Sequence, residues 1–193
     1  MATSGYRTEK QKMLAGELYW ARDPELQADQ RAAEAWLVRY NASLDLAASA
    51  RHVLLCEQLA TVGQGAVIRP PFYCDYGYNI NLGENVFLNF NCVILDVGRV
   101  DIGAGTQIGP GVHIYAVDHP RDPVKRRAGL EFGKPVAIGR NVWLGGGSII
   151  LPGMTIGDDA VVGAGSVVTR NVLAGATVMG NPAREREVKT PDH

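Results

Sequence analysis

Residues 138–168 read IGRNVWLGGGSIILPGMTIGDDAVVGAGSVV, with an aliphatic residue at every sixth position: Ile138, Leu144, Ile150, Ile156, Val162 and Val168. Glycine follows four of them, at Gly139, Gly145, Gly157 and Gly163. Six is neither a helix period nor an ordinary strand-turn spacing. Working outward, the same frame takes in Leu82, Leu88, Ile94, Ile102, Ile108 and Ile114 upstream and Ala174 downstream, and it starts near Val62. Four residues after the aliphatic position comes a second apolar or small residue, as at Val86, Cys92, Thr106, Val112, Val142, Ser148, Met154, Ala160, Ser166, Val172 and Val178. These two positions fill the inner face of a short strand on its period of two. The residue between them points outward: Gln107, His113, Trp143, Ile149, Thr155 and Val161.

The third residue after each aliphatic position supplies the corner. It is Asn85, Asn91, Gly105, Gly111, Asn141, Gly147, Gly153, Asp159, Gly165 or Asn171, types that accept a positive φ. Val97 and Val117 break this pattern where the spacing slips, and Thr177 breaks it near the end. Three corners close one coil of about eighteen residues, and stacked coils make a parallel β-helix. The crossover rule favours a right-handed coil.

The chain has 193 residues and a net charge of −1, enough for one domain with an appendage. No basic excess or motif points to nucleic acid. No apolar run is long enough for a membrane span, and the start lacks the apolar core of a signal peptide. Three cysteines, Cys56, Cys74 and Cys92, lack metal-type spacing and fit a reducing cytoplasm. Cys74 and Cys92 fall on inward repeat positions.

Residues 5–60 differ in kind, being rich in Ala, Leu, Glu and Arg. Met13, Leu14, Leu18 and Tyr19 suit one helix. Asp23-Pro24-Glu25-Leu26 reads as a helix start, a second helix runs through Arg31 to Tyr40, and a third spans roughly 46–61. Their expected task is to cover the bare edge of the first coil. The β-helix is expected over 61–184, with a tail at 185–193.

The frame slips by two residues between Cys74 and Leu82 and again between Ile94 and Ile102. A far larger excursion separates Ile114 from Ile138 and carries DHPRDPVKRRAGLEFGKP over 118–135. Long irregular excursions from a rigid scaffold are usually functional. His119 in this loop is the side chain best matched to taking a proton near neutral pH. Arg121, Lys125, Arg126 and Arg127 either face a phosphorylated ligand or form a solvated tip. A zinc site built on His113 and His119 needs a further ligand, from Asp118 or another chain. That reading makes the protein a hydratase resembling the γ-class carbonic anhydrases. A third reading is a non-catalytic trimeric assembly module.

Several stretches together resemble the sugar O-acetyltransferases of the maltose and galactoside type, within the hexapeptide-repeat acyltransferases. They are 13–19 (MLAGELY), 60–63 (ATVG), 70–77 (PPFYCDYG), 89–91 (NFN), 118–120 (DHP), 139–145 (GRNVWLG), 163–165 (GAG) and 180–184 (GNPAR). The resemblance implies a left-handed β-helix, a homotrimer with active sites between subunits, acetyl-CoA as co-substrate and a sugar hydroxyl as acceptor. It implies that His119 is the catalytic base and that Asn89 stands at the reaction centre. Gly146, Ala164, Thr169, Arg170 and Arg184 match positions lining the CoA groove, and Asp75 matches an acceptor contact. No metal is implied. Trp143 points outward, to the ligand or to a neighbouring subunit. Glu131 either orients His119 or is a loop carboxylate in water. Amides of Gly145-Gly146-Gly147 are candidates for holding the oxyanion. The chain departs from parts of the family pattern at three places: Ala21 and Val97 stand where some members place acceptor-binding acids, with Asp96 just before the latter as a substitute, and Glu187 stands where some have a basic CoA contact.

Overall fold

The computed structural model describes residues 6–186; the expected tail beyond 186, Glu187 included, lies outside the described residues. Three parallel sheets form the faces of a prism. The first face stacks Thr61–Val62, Ile80–Leu82, Val100–Ile102, Val136–Ile138 and Thr155–Ile156. The second stacks Val67–Ile68, Phe87–Leu88, Gln107–Ile108, Trp143–Leu144, Val161–Val162 and Thr177–Met179. The third stacks Phe72–Cys74, Cys92–Leu95, His113–Tyr115, Ile149–Ile150 and Val167–Val168. The chain visits the faces in turn, so each strand bonds to the one a full coil later.

The frame from Leu82 through Val168 lines the interior, every aliphatic member being at most 3% exposed. Nine of the ten expected corner residues have a positive φ, from Asn85 to Gly165. The glycine after the aliphatic residue answers a different need. A Cβ on Gly145 would lie 2.5 Å from the Ala164 nitrogen and 2.8 Å from the Val162 oxygen. Coils at hydrogen-bonding distance leave no room there for a side chain.

The frame fails at its end. Ile138 pairs with Ile156, eighteen residues on, but Ile156 pairs with Val172 and Val162 with Val178, only sixteen on. The last coil is two residues short. Ala174 therefore lies exposed outside the core, and the positive φ moves from Asn171 to Gly175.

The N-terminal segment holds α1 (Glu9–Leu14), α2 (Pro24–Asn41) and α3 (Ala48–Gln58). Thr8 and Gln11 form a reciprocal capping box at the start of α1. Contrary to expectation, Leu18 and Tyr19 are not helical. Gly16 takes φ +71° just past the helix end, and Tyr19–Trp20 then forms a strand. Helix α2 starts at Pro24 with Asp23 as its cap, as the sequence indicates, the Asp23 carboxylate accepting the Glu25 N–H at 3.0 Å, and it runs on unbroken through Arg31 and Tyr40. Helices α2 and α3 cover the first coil, and their side chains stand in for the missing strand. The Asn41 carboxamide donates to the Phe72 carbonyl at 2.9 Å and accepts the Phe72 N–H at 2.8 Å. The Tyr40 hydroxyl donates to the Ile68 carbonyl at 2.6 Å. Among the described residues, no helix is long and apolar enough to cross a membrane.

Candidate active site

All three insertions into the hexad frame fall at one edge of the prism. Strands pair twenty residues apart from Val62 to Leu82 and from Leu82 to Ile102, then thirty-six apart from Ile102 to Ile138. The extra residues lie each time between the third face and the first. The corners holding Asp75, Asp96 and the 118–135 loop are therefore stacked on one another.

Asp96 is fully buried. Its Oδ1 accepts the N–H groups of Asp75 and Tyr76 at 3.1 and 2.9 Å, and its Oδ2 that of Asn79 at 3.3 Å. Burial raises its carboxyl, against the lowering effect of those amides. Asp96 thus pins the corner below Asp75 and is not on the ligand-facing surface expected for it. Asp75 is half-buried above it. Burial, with the charges of Asp96 and Glu131, pushes its carboxyl up to about 7. Ala21 and Val97 pack in an apolar cluster with Met13, Tyr19, Leu26 and Tyr76.

The loop that carries His119 is built from short elements. Val117–Asp118 pairs antiparallel with Leu130–Gly133, and the latter pairs on its other side with Tyr19–Trp20. Helix α4 (Pro123–Arg127), capped by Asp122, closes the tip. Asp118 braces the turn: its carboxylate accepts the His119 N–H at 2.8 Å, Arg121 at 2.8 Å and Lys134 at 3.2 Å. Although partial burial opposes it, these donors hold the carboxyl below its ordinary value. Arg126 donates to the Pro120 carbonyl at 3.0 Å. Two of the four loop cations thus brace the loop, while Lys125 and Arg127 stay exposed at the tip.

The His119 side chain is 52% exposed, and its Nδ1 lies 4.0 Å from Glu131 Oε1. The other oxygen of Glu131 accepts the Tyr19 hydroxyl at 2.8 Å. Tyr19 is 1% exposed, and burial, reinforced by Glu131, raises its phenol far above the ordinary range. Sequence reading gave Tyr19 no functional role; its strand pairing with Glu131 carries no local signal.

The remaining candidates divide between two edges. Asn89, Gly146 and Ala164 occupy corners between the second and third faces. Asn89 Oδ1 accepts the Phe90 N–H at 2.9 Å, which fixes the carboxamide and leaves Nδ2 as its free donor among the described residues. The N–H of Gly145 is spent on Val162 O at 2.7 Å and that of Gly147 on Pro110 O at 2.9 Å. Gly146 alone of the three has no backbone acceptor among the described residues. Thr169 and Arg170 lie on the other edge, below the His119 loop. Arg170 and Arg184 line one cleft of about 230 Å³, and Glu185 lines it too. Trp143 stands outward on the second face, 59% exposed. His113 is engaged through Nδ1 with the Tyr115 hydroxyl at 2.7 Å. Among the described residues, no group of three His, Cys, Asp or Glu side chains is placed to hold a metal.

Comparison with known proteins meets this geometry. The maltose acetyltransferase hexapeptide capping motif matches residues 12–63, and the hexapeptide repeat of succinyl-transferase matches 135–170. Nodulation protein L of Rhizobium meliloti (strain 1021) is 65% identical over 180 residues, 93% of this chain and 98% of that protein. The crystal structure of a maltose O-acetyltransferase from Clostridium difficile 630 superposes with a TM-score of 0.91 at 42% identity, covering 93% of this chain and 96% of the other. A galactoside acetyltransferase in complex with coenzyme A gives a TM-score of 0.90 at 34% identity, covering 96% and 92%. The chain belongs to the hexapeptide-repeat acetyltransferases, in the group of the maltose and galactoside O-acetyltransferases.

Proposed function

We propose that this protein transfers an acetyl group from acetyl-CoA directly to a hydroxyl of a sugar or similar small acceptor, with His119 as general base. The observation that carries this reading is the half-exposed His119 imidazole, held on a braced loop with a carboxylate behind Nδ1. Such a partner favours a proton on Nδ1 and leaves Nε2 to accept the acceptor's proton. The alkoxide forms as it attacks the thioester carbonyl. The Gly146 N–H and Asn89 Nδ2 are the donors left free for the tetrahedral oxyanion. When the C–S bond breaks, the imidazolium returns its proton to the CoA thiolate. No enzyme thiol is required. Burial raises the thiols of Cys74 and Cys92, and Cys56 lies on α3, in the helical cap.

Asp75 contacts the acceptor at the upper end of the edge. Arg170 and Arg184 hold CoA phosphates at the lower end, with Thr169, Ala164 and Trp143 beside the pantetheine arm. The two edges flank the third face, whose outward residues are Tyr73, Val93, His113, Ile149 and Val167. The first face shows Thr61, Asn81, Asp101, Ala137 and Thr155 instead. A largely apolar ladder between the two halves of a site supports a homotrimer, in which one copy's Asn89 edge meets the next copy's His119 edge. Unpaired cysteines support a reducing cytoplasm.

The test is thiol release from acetyl-CoA with a panel of glucosides, galactosides, maltose and amino sugars. His119→Ala is expected to lower turnover by roughly 10²–10⁴ while CoA binding persists. Wild-type protein that consumes no acetyl-CoA with any hydroxyl acceptor overturns the reading.

A further inference from the structure

We infer that Tyr19 is a positioning residue for the reaction: through Glu131 it sets the orientation and basicity of His119. The inference rests on the reading of His119 as base. Its grounds are a continuous set of contacts reaching from the helical segment to the imidazole. Glu131 is the carboxylate facing His119 Nδ1, at 4.0 Å, and Tyr19 donates to its other oxygen at 2.8 Å. The strand pairing places Tyr19 directly opposite Glu131. The phenol cannot swing away, because its ring is buried among Met13, Leu26, Tyr76 and Val97. The strand that carries it is tied down as well, since Glu9 accepts the Trp20 N–H at 2.6 Å. A side chain 112 residues away in sequence thus fixes one oxygen of the carboxylate. The other oxygen is left to meet His119.

Two physical effects follow. The hydrogen bond restricts Glu131 to rotamers that keep Oε1 toward the imidazole, so losing it disorders the base. It also draws negative charge from the carboxylate, so losing it lets more of that charge act on His119 and favours the imidazolium. A purely structural tyrosine produces neither effect. On this reading the N-terminal segment is part of the catalytic apparatus as well as a cover for the first coil.

The experiment compares wild type, Tyr19→Phe, Glu131→Ala and the double variant in the intact protein. Tyr19→Phe keeps the buried ring. It is expected to lower kcat about tenfold with KM for acetyl-CoA unchanged. It should also move the acid limb of the kcat/KM profile upward by about half a pH unit. In the Glu131→Ala background the same substitution should cost nothing further. A second perturbation has the opposite sign: 3-fluorotyrosine at position 19 is a stronger donor and should move the limb downward. The His119 ring resonances, titrated by NMR, read the same displacement without turnover. If His119→Ala keeps full activity, the base assignment fails while the NMR titration still tests the coupling. An unmoved His119 titration in both Tyr19 variants, or additive losses in the double variant, overturns the inference.

Discussion

Replacing Asp75 by asparagine should change how stability depends on pH, and in a defined direction. Burial, with the charges of Asp96 and Glu131 nearby, lifts the Asp75 carboxyl from the ordinary 3.8 to about 7. Between those values the native state holds a proton that the unfolded chain has released. Stability therefore falls as pH rises through this window and levels off above it. Below about pH 4 both states are protonated and the group contributes nothing. The distance between the two values sets a ceiling of about 4 kcal/mol. About two-thirds of the window lies above pH 5, and water reaches part of the carboxylate, so about 1–2 kcal/mol is the expected loss between pH 5 and pH 8. A carboxamide cannot ionise, so the Asp75→Asn variant should escape that loss. Urea unfolding of both proteins at pH 5 and pH 8, at one protein concentration, gives four free energies. Their double difference isolates the titration from any contact that asparagine fails to replace. The variant should gain about 1–2 kcal/mol on wild type between pH 5 and pH 8. A double difference below about 0.5 kcal/mol, or one of opposite sign, refutes the burial of Asp75 beside like charges.

The remaining predictions concern the two ends of the prism. Asn41→Ala strands the N–H and carbonyl of buried Phe72 and should cost about 2–3 kcal/mol in urea unfolding. Asn41→Asp keeps the acceptor for the N–H and should recover at most half; a loss under about 0.5 kcal/mol for the alanine variant would show that the carboxamide is dispensable as a strand substitute. At the far end, Arg170→Ala and Arg184→Ala should each weaken CoA binding by about 5–30-fold in calorimetry, as expected for losing a charged hydrogen bond. The weakening should diminish with salt, and kcat at saturating acetyl-CoA should stay unchanged. Equal binding by wild type and both variants would remove that cleft from the cofactor site.

The β-helix is legible because its period is imposed by the backbone. A corner that needs a positive φ, an inward aliphatic residue and a glycine under the next coil must all recur together, so each hexad repeats the signal of the last. What was not legible depends on distant pairing. Tyr19 continues an apolar pattern that suits a helix, yet Gly16 ends α1 and the strand exists because Leu130–Gly133 is there to receive it. The short last coil is likewise invisible locally. Its two missing residues fall between Val168 and Val172, at the corner that holds Thr169 and Arg170. Asp96 shows the opposite error. The family resemblance offers it as a substitute for the acid missing at Val97, but three backbone amides of the preceding corner consume its carboxylate.

The location of the active edge was nevertheless present in the spacing. Grouped in threes, the inward residues run Val62, Ile68, Cys74, then Leu82, Leu88, Ile94, then Ile102, Ile108, Ile114. Each irregular interval follows the third member of its group. In a three-sided coil, that places every insertion on the same edge. Two two-residue slips alone are small bulges. Stacked beneath a long loop, they become the shelf that holds Asp75 over Asp96 and beside Glu131. The corners at Asn89, Gly146 and Ala164, between the second and third faces, keep strict hexad spacing. Residue-type motifs mark that edge, and interrupted period marks the other. A single chain keeps the two edges apart across the third face, so the proposed site, which brings His119 and Asn89 together, needs more than one copy.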